Sequence, residues 1–136
     1  MRIRKLELKN YRNLESVELD FKSMKTLIIG KNAQGKTNIL ESIYFLSDLK
    51  SPRTSTVSDL IKFGEEKFEI SAEIEKNNTD IDLDFSYDKD KKRELKVNKV
   101  KSRVKDFKSV VKTVLFSTKD LLLLRGTPQD RRDWLD

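Results

Sequence analysis

The chain has 136 residues, enough for one domain on the usual prior of about 100–200 residues each. Charged residues make up 38% and apolar residues 36%, so any core is thin, and 29 basic residues against 23 acidic ones give a net charge of +6. The absence of cysteine and histidine excludes a disulfide framework, a thiol nucleophile, a histidine-dependent triad and metals ligated by Cys or His.

The longest aliphatic run, Leu121–Leu124, is far short of the ~18 residues of a membrane span. Met1–Lys5 is basic, but no apolar segment follows it, so no signal peptide is expected. The expectation is a cytoplasmic chain with no membrane partner.

Ile3, Leu6 and Leu8 among charges predict a first strand, with Tyr11-Arg12-Asn13 as a turn. Val17, Leu19 and Phe21 alternate with Glu18 and Asp20, which predicts a half-buried second strand. Thr26-Leu27-Ile28-Ile29 is a short apolar run rich in β-branched residues, the pattern of a strand buried on both faces. Ile39-Leu40, Ile43-Tyr44 and Leu46 recur at helical spacing, with Glu41 and Asp48 on other faces. Ser51–Ser58 reads as a loop and Ser58–Ile61 as a short helical turn.

Phe68-Ile70-Ala72-Ile74 and Ile81-Leu83-Phe85-Tyr87 alternate around Asn77–Asp80, which predicts an antiparallel hairpin. Leu95–Val100 predicts a shorter hairpin around Asn98-Lys99. Val110-Val111 with Val114-Leu115-Phe116 predicts a last buried strand. A helical turn is expected over Asp120–Leu124, and the first turns of another helix over Gln129–Asp136. The chain is thus divided into a phosphate-loop core part (1–64), antiparallel hairpins (65–105), and a return to the core (106–136), where a resemblance given below implies the start of a helical arm.

Between the apolar run and the helix, Gly30-Lys31-Asn32-Ala33-Gln34-Gly35-Lys36-Thr37 matches the phosphate-loop pattern G-x-x-x-x-G-K-[ST]. Its position between strand and helix is the setting that the chemistry needs. Gly30 and Gly35 let backbone amides approach phosphates. A helix starting near Lys36 offers free N–H groups and a positive dipole end. Lys36 is expected on the β- and γ-phosphates, and the Thr37 hydroxyl on Mg²⁺. The pattern points to a nucleoside triphosphate without choosing ATP over GTP. No apolar strand ending in Asp or Asp-Glu is legible, so the phosphate cradle stands without the acidic residues that hold Mg²⁺ and orient water for hydrolysis.

The net charge is local. Lys89–Lys108 holds ten basic and three acidic residues, a balance of +7, which leaves −1 on the rest. Lys96, Lys99, Lys101 and Arg103 are its candidates for a DNA-backbone contact. A solvated sheet edge whose lysines discourage aggregation explains the same composition.

In these motifs the chain resembles the RecF family, the ATPases of bacterial recombinational repair. The resemblance rests on Tyr11-Arg12-Asn13, on Gly30–Thr37 followed by Asn38 and Glu41-Ser42-Ile43-Tyr44, and on Ser51–Thr54. It continues through Asp59-Leu60-Ile61, Phe63-Gly64, Leu95–Val100, Val114–Ser117, Asp120-Leu121 and Gly126–Asp136 with Arg131-Arg132. Departures are Asn98-Lys99 where the family has Asn-Gly, Thr118-Lys119 for Pro-Glu, and Trp134 for Phe or Leu. The resemblance implies an α/β fold, the N-terminal part of an ABC-type ATPase head related to SMC proteins. Its mixed sheet surrounds the phosphate-loop strand and helix, beside an antiparallel β lobe. It further implies ATP and Mg²⁺ as ligands, with Arg12, Asn13 and Asn38 joining the loop around the nucleotide. DNA junctions or gaps, RecR- and RecO-type mediators and an ATP-dependent homodimer are the implied partners. The implied role is gap repair and support of the SOS response, with this chain binding nucleotide but not turning it over alone. The head of another SMC-related or OLD-type ATPase, or a non-catalytic nucleotide-binding module, is the alternative.

Overall fold

The computed structural model describes residues 1–32, 34–118, 120, 128 and 132. Strand β1 (Arg2–Tyr11) is long because its apolar residues keep a two-residue period through Leu6 and Leu8. β2 (Leu14–Asp20) folds back on it across a two-residue turn at Arg12-Asn13, with Tyr11 opposite Leu14. β3 (Lys67–Lys76) lies on the other side of β1, antiparallel, with a register shift between Ile3 and Lys5. β4 (Thr79–Asp88), β5 (Arg93–Val97) and β6 (Val100–Lys101) continue the sheet. Among the described residues, the six strands form one antiparallel sheet in the order β2-β1-β3-β4-β5-β6.

Two hairpin turns carry left-handed residues at both central positions, Asn77 and Asn78 (φ 52° and 59°) and Asn98 and Lys99 (φ 51° and 65°). That is the turn whose twist matches paired strands. Asn tolerates this conformation, whereas Lys99 adopts it at a cost.

Helix α1 (Lys36–Asp48) lays its apolar face on the sheet. Phe45 packs edge-on against Phe68 and Phe85, with ring centroids 6.0 and 4.9 Å apart. Phe68 also meets Tyr11 at 5.5 Å, and Phe85 meets Phe107 at 6.4 Å. Phe107 belongs to α2 (Val104–Val110), which sits beside α1 over β5. Leu6, Leu8, Ile70, Ile74 and Leu83 complete this core from the sheet. The opposite face of the sheet is polar, as expected of an antiparallel sheet covered on one side. A 3₁₀ turn at Val57–Leu60 buries Leu60 and brings Ile61 onto Tyr11.

Two expected strands are corrected. Thr26–Ile29 forms no strand, and Leu27 and Ile29 are 81% and 82% exposed. The segment leaves the sheet after the Phe21 N–H bonds to the Arg4 carbonyl, and no described strand lies beside it. An apolar run has strand potential, but a strand needs a neighbour to accept its backbone bonds. Val110–Phe116 is likewise no strand: Val110 ends α2, Val111 is buried, and Val114 and Phe116 are exposed. Val104, Phe107 and Val110 sit three apart, and helical packing on the core won over the β-branched composition. The expected turn over Asp120–Leu124 and the helix over Gln129–Asp136 fall largely outside the described residues. No helix among the described residues is long and apolar enough to cross a membrane.

Candidate nucleotide site

The segment Gly30–Asn38 runs from an extended stretch into the first turn of α1. Gly35 is the residue before the helix, with φ 93° and ψ 7°. A Cβ there would stand 2.6 Å from Leu14 Cδ2 and 3.3 Å from Asn13 Oδ1, so torsion and packing both require glycine. The β1–β2 turn is therefore pressed directly against the start of the helix. The first intrahelical bond runs from Ile39 N–H to the Gly35 carbonyl at 3.1 Å. Among the described residues, no side chain caps this end. Hence the N–H groups of Lys36, Thr37 and Asn38 are the helix's open donors, and the dipole adds positive potential there.

The loop closes on itself through its own side chains. Lys31 N–H donates to Gln34 Oε1 at 3.0 Å, and Lys36 Nζ donates to the Gly30 carbonyl. Lys31, Asn32, Gln34 and Thr37 are exposed, and Ala33 lies outside the described residues. The loop thus presents two lysines, open amides and one hydroxyl, which suits a polyphosphate and fits ATP.

Behind the loop is a buried polar network. Asn38 Nδ2 donates to Asn13 Oδ1 at 2.6 Å, and Asn38 Oδ1 accepts from Arg53 Nη1 at 2.6 Å. Arg12 donates twice to Glu41, from Nη2 at 2.7 Å and Nε at 3.1 Å. Arg53 Nη1 and the Ser51 hydroxyl donate to the same carboxylate at 3.2 and 2.5 Å. Glu41 is 1% exposed. Burial by itself would raise its pKa, but the bonds from Arg12 and Ser51 and the charges of Arg12 and Arg53 outweigh that and hold it below the usual carboxylate range. The Arg12 N–H also bonds the Leu60 carbonyl at 2.8 Å, which fixes the turn from its other side. The structure thus brings Arg12, Asn13 and Asn38 together beside the loop.

Helical spacing puts Glu41 on a face other than the apolar one, and the structure buries it there under Arg12, Arg53 and Ser51. Sequence reasoning passed over Arg53 and Ser51 as functional residues. Their signal was a charged and a hydroxyl residue just after the helix, within reach of a carboxylate about two turns inside it.

The other candidates lie away from this network. Lys96 pairs with Glu94 at 3.4 Å, Lys99 with Asp84 at 3.2 Å, and Arg103 with Asp106 at 2.8 Å. Lys101 is exposed in β6. No group of three or more acidic residues poised to hold a metal occurs among the described residues.

Residues 1–123 match the AAA ATPase domain family. The chain is 42% identical, over its whole length, to the DNA replication and repair protein RecF of Bacillus velezensis, and 41% identical to that of Bacillus cereus. It spans 37% and 36% of the length of those two curated relatives. A solved structure of the recombination mediator protein RecF with ATP superposes with a TM-score of 0.84 and 34% identity, covering 99% of this chain and 38% of that one. The Thermotoga maritima SMC head domain superposes at 0.68 with 22% identity, over 80% of this chain and 41% of that one, a likeness of fold alone. These matches, with the glycine-bounded loop and the helix behind it, show that the chain belongs to the AAA ATPase domain family and within it is a homologue of RecF.

Proposed function

We propose that the chain is the ATP-binding part of a RecF-like DNA replication and repair ATPase. The observation that carries this reading is Gly35. It holds a left-handed torsion under Asn13 and Leu14, and it opens the first amides of α1 beside Lys36. Polyphosphate oxygens take the N–H groups of Gly35–Asn38. Lys36 exchanges the Gly30 carbonyl for the β- and γ-phosphates. Arg12 and Asn13, fixed by Glu41 and Asn38, border the nucleotide, with Lys31, Asn32, Ala33 and Gln34 wrapping the loop. Mg²⁺, held by Thr37 and phosphate oxygens, supplies charge neutralisation.

The finer role follows the relatives' name. The whole protein binds DNA in an ATP-dependent way, at single- to double-strand junctions or gaps, through cations, unpaired among the described residues, in and just after the basic stretch Lys89–Lys108. It dimerises around ATP, works with RecR- and RecO-type mediators in the cytoplasm, and supports gap repair and the SOS response. Turnover uses residues supplied beyond this chain, in keeping with its 36% share of the relatives' length. Thermal melts test the reading. MgATP raises Tm, ATP with chelator raises it less, and Thr37→Ala removes the Mg²⁺-dependent part. An unchanged Tm in saturating MgATP overturns it.

A further inference from the structure

The basic stretch is not uniform once folded. Lys96 and Lys99 project onto the polar face of the sheet, where Glu7, Glu69, Glu73, Asp82 and Asp84 line the same depressions. That face repels a phosphate chain. On the other side of the molecule, α1 and α2 border an open groove of about 780 Å³, lined by Tyr44, Ser47, Lys105, Lys108, Lys112 and Thr113, among others. Lys108 is held by Asp48 at 2.6 Å. Lys105 and Lys112 are exposed and have no ion pair among the described residues.

The end of α2 favours an anion there. Lys76 Nζ donates to the Ser109 and Val110 carbonyls at 3.0 and 3.2 Å, which neutralises the negative end of α2. The lining has no Arg, Asn or Gln among the described residues, so it lacks the planar side chains that pair bidentately with base edges.

We infer that the α1–α2 groove binds the phosphodiester backbone of a nucleic-acid strand, without sequence preference, through Lys105 and Lys112. This rests on the DNA-binding reading above and locates its contact on α2 rather than on the β5–β6 hairpin.

Anisotropy of a labelled single-stranded oligonucleotide of mixed sequence, titrated with the full chain from about 50 to about 200 mM salt, tests it. Lys105→Gln with Lys112→Gln is expected to weaken binding about tenfold and flatten the salt slope by roughly 1.4, at ~0.7 per phosphate contact. Lys96→Gln with Lys99→Gln leaves both within twofold. Lys105→Arg with Lys112→Arg restores wild-type binding, and an unchanged MgATP response shows that the variants are folded. An α2 variant that binds like the wild type overturns the groove and spares the DNA reading. Displacement of the oligonucleotide by poly-glutamate at equal charge gives the groove to an acidic protein and also overturns it. A wild-type chain that binds no oligonucleotide overturns both.

Discussion

Arg12 and Glu41 face each other across the junction of the β1–β2 turn and α1, joined by two bonds of 2.7 and 3.1 Å. The carboxylate is buried and shared with Arg53 and Ser51, so three chain segments meet at one charge. Removing one partner of such a pair leaves the others with unmet charge in a poorly solvated place. Glu41→Gln is expected to cost about 2–4 kcal/mol, near the lower end of values for broken buried pairs because Arg53 reaches solvent. The pH dependence has a definite sign. The folded pKa of Glu41 lies below the unfolded value near ~4.3, so the stabilisation is complete above that value and is lost as pH falls through the folded pKa. Urea melts of wild type and Glu41→Gln from neutral pH into the acid range check this, and the gap between them should close below ~4.3.

Gly35→Ala is expected to destabilise the chain by at least ~1–2 kcal/mol from the torsion alone. The clash of the new Cβ with Leu14 adds to that. Because Leu14 supplies the nearest atom, Gly35→Ala with Leu14→Ala should relieve the clash but not the torsion. A double-mutant cycle in thermal melts separates the two, and strict additivity would count against the contact.

The Tyr11 hydroxyl is buried with no hydrogen-bond partner among the described residues. Burial, then the nearby Glu41 charge, push its pKa well above that of a free phenol. Tyr11→Phe is therefore expected to be neutral or stabilising, within ~1 kcal/mol. A phenol whose folded pKa is raised withdraws stability as pH climbs past its unfolded value near ~10. The wild type should show this alkaline loss in denaturant melts, and Tyr11→Phe should show less of it.

Lys99 holds φ 65° in the β5–β6 turn and reaches Asp84 at 3.2 Å. Lys99→Gly removes a torsional cost of about 1 kcal/mol and an exposed ion pair of about 0–1 kcal/mol. The net gain should be small at low salt and larger at high salt, where the pair is screened. Thermal melts at two salt concentrations read the difference directly.

The antiparallel part of the fold was legible because its strands carry their own partners. Phe68–Ile74 and Ile81–Tyr87 alternate and turn at Asn77-Asn78, so period and turn chemistry agree. Leu27 and Ile29 misled, because apolar content reports what a segment could bury and not whether a neighbouring strand is present. Phe107 was hidden among lysines, although Val104, Phe107 and Val110 repeat at helical spacing. At the site, the loop was readable residue by residue from its glycines. Glu41 was not, because a charge in an amphipathic helix is ordinarily solvated, and only the fold shows two arginines converging on it.

In the proposed reading Gly30–Thr37 binds the triphosphate of ATP through Lys36. A titration of fluorescent ATP with Mg²⁺, for wild type and Lys36→Ala, tests it most directly. Saturable binding that competes with ATP and weakens at least about tenfold in the variant, a loss of ~1.4 kcal/mol or more, is the expected result. Equal affinity of the two proteins would overturn the role of Lys36 and of the loop.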